Sequence, residues 1–157
     1  MDYTGEHLFP GLLGHFFVTL SLVASLVATF AYFKSVQSKI EVNANSWKNL
    51  ARAAFITEVA SIFAIFAILF FIIYNHFFEY KYAWQHSSRS LEVKYLLSCF
   101  WEGQEGSFLL WSIWHSVLGA ILIAKAKKWE APVMTVVSFA QVCLATMIAG
   151  IYFFNWR

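Results

Sequence analysis

The sequence predicts an all-α integral membrane protein with four transmembrane helices and an amphipathic surface helix in the second loop. Hydrophobic residues make up 60% of the 157 residues, and charged residues make up only 13%, about half of their share in a typical soluble domain. The mean hydropathy is +0.61. The charged residues are also clustered, so that four long stretches carry no formal charge.

This composition excludes several classes of function. A water-soluble enzyme needs more polar residues to cover its surface, and a disordered tail would be far less hydrophobic. The formal net charge of +2 is too small for the phosphate neutralisation on which nucleic-acid binding depends. The spacings of a phosphate loop, a nucleophile elbow and a zinc site are absent from the sequence, so we expect no catalytic residue and no metal ligand.

Each of the four uncharged stretches is long enough to cross a bilayer, which takes about 20 apolar residues in a helix. They contain 27, 20, 19 and 26 residues and cover positions 7–33, 59–78, 106–124 and 131–156. In lipid, every backbone polar group must be satisfied within the segment, and this favours helices. We therefore predict a single membrane domain, 1–157, with helices over about 8–34, 47–78, 106–125 and 131–155.

The distribution of Lys and Arg predicts the orientation of these helices. The first and third loops together hold seven of these residues, whereas the second loop and the termini hold four. Because cytoplasmic loops are enriched in positive charge, we expect loops one and three in the cytoplasm and both termini and loop two outside. The first span is not a cleaved signal peptide, because it is too long and because Asp2 and Glu6 precede it.

Local signals refine three of the helices. Small residues recur at near-helical spacing in the first one, namely Gly11, Gly14, Ser21, Ser25 and Ala28. Such a stripe lets another helix approach closely, and we interpret it as packing rather than as a binding site. Ser46 is expected to cap the second helix, which would begin near Trp47. Pro132 falls in the first turn of the fourth helix, where a missing N–H costs little.

Loop two, at 79–105, is longer than most connections, which points to function or to local structure. Its second half places apolar residues on one helical face, namely Val93, Leu96, Leu97, Phe100 and Trp101. This spacing predicts an amphipathic helix over about 90–101 at the outer membrane surface.

The motif that follows this helix consists of Trp101, Glu102, Gly103, Gln104, Glu105, Gly106 and Ser107. Its two glycines permit a sharp turn and a close backbone approach. Its carboxylates come just before the third transmembrane helix, where the helix dipole favours negative charge. From its chemistry alone, the motif predicts a well-capped re-entry turn beside an aromatic belt.

From Trp101 to Trp111 the chain reads W-E-G-Q-E-G-S-F-L-L-W. This segment resembles the W-G-x-H-E-G-S-L-L-L-W signature of the cytochrome c assembly family, which contains the CcmF/CcsA-type cytochrome c haem lyases. The setting is also similar, because a helix pair, the segment 82–88 and a surface helix precede the motif. By this resemblance the chain corresponds to the N-terminal part of a longer family protein, in the version found in Bacteroidetes.

The resemblance implies a role in cytochrome c-type biogenesis, or cytochrome complex assembly, in the bacterial inner membrane. Members of the family receive haem outside the cytoplasmic membrane and position it for attachment to apocytochrome c. Haem is thus the implied cofactor, and a haem chaperone and apocytochrome c are the implied partners. The role of a protein in such chemistry is to ligate and orient the iron. The resemblance implies haem binding for the parent protein, and it does not extend this to the 157 residues alone.

Two departures from the family pattern leave alternatives open. Gln104 stands where many members have His, so the resemblance assigns no haem ligand there. The tryptophan-rich WWD segment and the paired haem-ligating histidines of the family lie further downstream, and no W-G-x-W-W-x-W-D string occurs here. Whether the chain is part of an enzyme is therefore open. The alternative is a small structural or interaction subunit of a membrane transporter or a respiratory complex, with no role in haem handling.

Five histidines are the candidate haem ligands, namely His7, His15, His76, His86 and His115. His15 and His115 lie at a similar expected depth in the outer half of the bilayer, and Trp111 and Trp114 accompany His115. These four residues form the predicted haem site, with the two imidazoles ligating from two helices. The alternative is that each histidine is neutral and hydrogen-bonded to a neighbouring helix.

Three further residues lie in or near the membrane. Glu58 is expected to be a carboxylate at the cytoplasmic interface that pairs with a cation or extends to water, in preference to a proton relay. Cys99 is expected at the outer surface and Cys143 in mid-membrane, so we predict no disulfide between them. The chain has no Cys-x-x-Cys-His motif and is therefore not itself a c-type cytochrome.

Overall fold

A computed structural model of the chain describes residues 7–88, 93–96, 98–101 and 103–154. These residues form helices and no strand. The α-helices are α1 (Leu8–Gln37), α2 (Glu41–Tyr74), α3 (Lys81–His86), α4 (Val93–Leu96), α5 (Gln104–Lys125) and α6 (Glu130–Phe154). Two 3-10 turns, Ser98–Trp101 and Lys127–Trp129, precede α5 and α6.

Four of these helices, α1, α2, α5 and α6, are long and apolar enough to cross a membrane, which confirms the predicted all-α class with four spans. Their outward faces carry large apolar side chains, among them Phe9, Phe16, Phe30, Ile56, Trp111 and Phe139. Soluble monomers rarely expose apolar surface on this scale, whereas lipid solvates it without cost. The distribution of exposed residues is therefore that of a protein embedded in a bilayer.

The order of packing in the bundle is α2, α1, α6 and α5. The helix α1 packs most extensively on α2 and α6, while α5 packs on α6 and forms a smaller contact with α2. As a result, α1 and α5 are diagonal to each other. Most of the small residues of α1 are buried in these interfaces, including Gly14, Ser21, Ser25 and Ala28. The stripe has the packing role that its spacing indicates.

The helix α2 begins at Glu41, six residues before the expected start at Trp47. Ser46 is not its cap, because its hydroxyl donates to the carbonyl oxygen of Val42 within the helix, at 3.0 Å. A tertiary contact favours helix at this position, since the buried Ser35 of α1 donates to the carbonyl oxygen of Ala44 at 2.9 Å. This contact ties the first turn of α2 to the end of α1.

An ion pair joins α2 to the start of α6, at the end of the bundle opposite loop two. Arg52 donates from Nε and Nη2 to the two carboxylate oxygens of Glu130, and both distances are 2.6 Å. Glu130 is only 2% exposed. Its carboxylate stands at the N-terminus of α6, where the helix dipole favours negative charge. The bidentate geometry fixes the relative position of the two helices.

Loop two is more structured and more buried than a single surface helix. The expected helix over 90–101 falls partly outside the described residues, and its described parts are α4 and the 3-10 turn Ser98–Trp101. Cys99 is only 3% exposed and packs with Leu96 and Phe100 near Ile73 of α2. Cys99 is buried because this segment packs against the C-terminal part of α2. Cys143 is exposed, and no disulfide joins it to the buried Cys99.

Candidate functional site

The motif at residues 101–107 forms the turn into α5, and this turn is the candidate site. Gly103 is the N-cap of α5, with extended backbone angles (φ −95°, ψ 158°). The backbone N–H and the hydroxyl of Ser107 both donate to the carbonyl oxygen of Gly103, at 3.2 Å. Gln104 is exposed. Glu102 and the side chains of Trp101 and Glu105 lie outside the described part of the chain.

Gly106 is the tightest point of this turn. A Cβ atom at this position would lie 1.3 Å from the carbonyl oxygen of Phe100 and 2.6 Å from the hydroxyl of Tyr82. The first turn of α5 therefore lies directly against the backbone of the preceding 3-10 turn. Only glycine allows this approach, which confirms the close contact that the two-glycine motif indicates.

Tyr82 and Phe100 hold the turn in place, and neither was predicted to do so. The hydroxyl of Tyr82 is 2.9 Å from the carbonyl oxygen of Cys99 and 3.0 Å from that of Phe100, so that its hydrogen is shared between them. The ring of Phe100 stacks on Phe66 of α2, with 4.5 Å between the centroids. A tyrosine in a loop predicts no such contact, because its partners lie 17 and 18 residues away.

A second set of contacts ties the start of α1 to loop two. The backbone N–H of His7 donates to Glu79 Oε1 at 3.0 Å, and its imidazole Nδ1 lies 3.1 Å from the same oxygen. The imidazole stacks on Phe77 with 4.2 Å between the centroids. The hydroxyl of Tyr80 donates to the carbonyl oxygen of His7 and accepts from the N–H of Gly11 at 2.9 Å. The structure therefore places His7 in a tether between two segments.

This tether affects the acidity of Glu79. The hydrogen bond from the His7 backbone N–H, joined by the bond and the attraction from its imidazole, lowers the pKa of the Glu79 carboxyl below its ordinary value. A carboxylate that accepts such hydrogen bonds is stabilised over its protonated form. The tether is therefore strongest when Glu79 is ionised.

Trp111, Trp114 and His115 lie together on α5. The two indoles are 61% and 65% exposed and face out of the bundle. His115 is half-buried, and its Nδ1 atom is buried without a hydrogen-bond partner among the described residues. One imidazole and two exposed indoles therefore lie near one another on a single helix.

His15 occupies a separate position. It lies on an exposed face of α1, and its carbonyl oxygen accepts from the hydroxyl of Thr19 at 2.9 Å. Since α1 and α5 are diagonal in the bundle, His15 and His115 do not share a helix interface. The structure therefore presents two candidate positions where the sequence predicts one shared site.

The two remaining histidines lie on either side of the start of loop two, with His76 just after α2 and His86 at the end of α3. Both are half-buried. The ring of His76 stacks on Phe78 at 5.7 Å, and the ring of His86 lies 4.6 Å from that of Tyr82. Among the residues that the structure describes, no group of three or more histidine, cysteine or acidic side chains is placed to hold a metal ion.

The chain has a relative among known proteins. No model of a protein family and no solved structure matches the chain. Over 117 residues the chain is 32% identical to the cytochrome c-type biogenesis protein CcmF of Haemophilus influenzae. The matched stretch is 74% of this chain and 17% of that protein, and a stretch of this length necessarily includes residues 101–111. The chain is thus similar to a part of CcmF, and this supports the family that the Trp101–Trp111 segment resembles.

Proposed function

We propose that this chain acts in cytochrome c-type biogenesis, as a haem-handling protein of the bacterial inner membrane. The observation that carries the proposal is the similarity to CcmF over a stretch that includes residues 101–111. The geometry is compatible with it, because this segment is a fixed turn in which Gly106 lies against Phe100 and Ser107 against Gly103. A rigid turn at one end of a bundle suits the docking of a partner or the support of a bound ligand.

In this proposal the turn lies outside the cytoplasm, together with both termini and loop two. The support is the excess of Lys and Arg in the loops at the opposite end of the bundle. The partners are a haem chaperone, which supplies haem, and apocytochrome c, which receives it. Both would meet the chain at the turn and at the exposed indoles of Trp111 and Trp114.

Haem is the cargo, and its iron takes a nitrogen ligand from the protein. We propose His115 as that ligand, with Trp111 and Trp114 against the porphyrin, because the half-buried His115 lies on α5 beside these two exposed indoles. His15 is the second candidate, on the diagonal helix. Titration of the purified chain with haem tests this choice. A Soret shift that is lost in His115→Ala and kept in His15→Ala supports it, and a shift that His115→Ala leaves unchanged contradicts it.

The function is tested in cells whose own gene carries the change. We expect Gly106→Leu and Glu105→Ala to lower the amount of haem-stained cytochrome c, and Gln37→Ala, an exposed residue at the opposite end of the bundle, to leave it unchanged. Immunoblots establish that each variant is present in the membrane. Normal haem-stained cytochrome c in both variants at normal protein levels would refute the proposed role. It would favour a structural or interaction subunit of a transporter or respiratory complex.

The orientation of the chain in the membrane can be tested separately by labelling a single thiol in the turn. A chain in which Cys99 and Cys143 are replaced by alanine and Gln104 by cysteine carries one exposed thiol in the turn. We expect a membrane-impermeant maleimide added outside the cytoplasmic membrane to label it in intact cells. Labelling only after the membrane is opened would place the turn in the cytoplasm.

A further inference from the structure

A buried cluster of polar side chains lies inside the bundle, where α2, α5 and α6 meet. Glu58 of α2 and Gln141 of α6 are each 1% exposed, and Ser112 and Ser116 of α5 are equally buried. Glu58 is therefore not the interface carboxylate that the sequence predicts. Because α2 starts at Glu41, Glu58 lies more than four turns along this helix, beyond the ion pair of Arg52.

The hydrogen bonds of this cluster converge on one nitrogen. The Nε2 atom of Gln141 lies 2.9 Å from Glu58 Oε1, 3.1 Å from Ser116 Oγ and 3.2 Å from the carbonyl oxygen of Ser112. Its two hydrogens are thus directed at acceptors on α2 and α5. The amide of Gln141 joins three helices at one point.

One side-chain oxygen of Glu58 and one of Gln141 take no part in these hydrogen bonds. Glu58 Oε2 and Gln141 Oε1 are buried and have no hydrogen-bond partner among the described residues. Both atoms are acceptors, so neither can satisfy the other. An unsatisfied acceptor in an apolar interior costs about 1–3 kcal/mol, and an unpaired carboxylate costs considerably more.

The surrounding charged groups do not neutralise Glu58. Glu58 forms no ion pair with any described residue. Arg52 is the nearest cation along α2, and it pairs with Glu130 of α6 instead. Besides Arg52 and Glu130, the described titratable side chains of these four helices that are not exposed are Tyr32 on α1, Lys48 on α2 and His115 on α5. A cation that would hold Glu58 as a carboxylate is therefore missing from the described part of the bundle.

We propose that Glu58 is an intramembrane proton-binding site, in which a proton on Oε2 is donated to Gln141 Oε1. One proton satisfies both leftover oxygens, because the neutral carboxyl and the amide then form a cyclic pair with two antiparallel hydrogen bonds. The proton also removes the charge from the apolar interior. Loss of the proton leaves a carboxylate against a carbonyl oxygen, which weakens the junction of α2 with α5 and α6.

Infrared spectroscopy of the whole chain in lipid discs tests this site at neutral pH. We expect a carbonyl stretching band of a protonated carboxylic acid in the wild type, and we expect E58Q to lose it. The matched control is E41Q, which removes the exposed carboxylate at the start of the same helix and keeps the band. A wild-type spectrum with carboxylate bands alone, or a band that survives in E58Q, would overturn the proposal. The first result would assign the two unpaired oxygens to a bound water or cation, and the second would place the proton on another carboxyl group.

A second variant keeps the test independent of how well E58Q folds. Q141L retains the carboxyl group and removes the oxygen that accepts its hydrogen. We expect the C=O band of the protonated carboxyl group to move to higher frequency in Q141L, because the carboxyl group then loses its hydrogen bonds to residue 141. An unshifted band in Q141L would show that Gln141 does not hold the proton, and it would refute the pairing.

Discussion

The carbonyl oxygen of Phe100 lies so close to Gly106 that a Cβ atom there would stand only 1.3 Å from it. The contact joins the 3-10 turn of loop two to the first turn of α5. Because the opposing atom is backbone, it cannot move aside as the end of a side chain can. The turn into α5 is therefore built around the absence of a side chain at residue 106.

Substitution of Gly106 by alanine is expected to destabilise the chain. Overpacking of a filled interior costs about 1–3 kcal/mol, and this contact is with backbone, so we expect a loss at the upper end of that range. The measurement is the midpoint of unfolding in a denaturing detergent titration. Gln104→Ala, two residues earlier and exposed, serves as the control and should unfold like the wild type. A wild-type midpoint in Gly106→Ala would show that the turn can relax.

The four spans could be predicted from the sequence because a bilayer sets the length of each uncharged stretch. The structure of loop two could not be predicted in this way, because α3 and the 3-10 turn are short and depend on contacts such as that of Tyr82 with Phe100. The start of α2 was missed for the same reason, because a hydroxyl of α1 favours helix where the local sequence indicates a turn. Long-range contacts override local propensity in both places.

The candidate haem residues show that the sequence does not predict which helices are neighbours in the bundle. The expected depth of His15 and His115 in the bilayer follows from the number of residues that separate each of them from the end of its helix. It does not give the order in which the helices pack, and that order separates the two histidines. The same holds for Glu58, whose partner Gln141 lies 83 residues away.

Replacement of Tyr82 by phenylalanine is expected to loosen the 3-10 turn. It removes the O–H that bonds the carbonyl oxygens of Cys99 and Phe100, at a cost of about 1 kcal/mol. The buried thiol of Cys99 should then react about fivefold faster with a maleimide, in a chain whose exposed Cys143 is replaced by serine. Tyr74→Phe, at the exposed end of α2, provides the comparison and should leave the rate unchanged. Equal rates in all three chains would argue against an anchoring role for Tyr82.

Removal of Arg52 is expected to be among the most destabilising changes outside loop two. Arg52→Ala leaves the buried carboxylate of Glu130 unpaired, and breaking such a pair costs about 3–5 kcal/mol. Arg52→Lys should recover only part of this loss, because an ammonium group cannot reproduce the two parallel hydrogen bonds. Lys48→Ala, one turn earlier on α2, is the control. Detergent unfolding of the single variants and of Arg52→Ala/Glu130→Ala measures the coupling, and additive effects would show that the pair contributes nothing.

The tether of α1 to loop two is expected to depend on pH through Glu79. Its pKa in the folded chain lies below the ordinary value, so its contribution to stability is fully present above that ordinary value. The contribution is lost as the pH falls through the lowered pKa, because a protonated carboxyl accepts the His7 N–H bond more weakly.

Nuclear magnetic resonance of the ¹⁵N-labelled chain can follow this change at the amide of His7. We expect its proton resonance to move upfield as the pH falls, with a midpoint below the ordinary pKa of a glutamate, since the hydrogen bond to Glu79 weakens on protonation. Glu79→Gln should abolish the step, because a neutral amide accepts the bond at every pH. A step with its midpoint at or above the ordinary value would mean that His7 does not stabilise the carboxylate, and the start of α1 would then depend on Tyr80 alone.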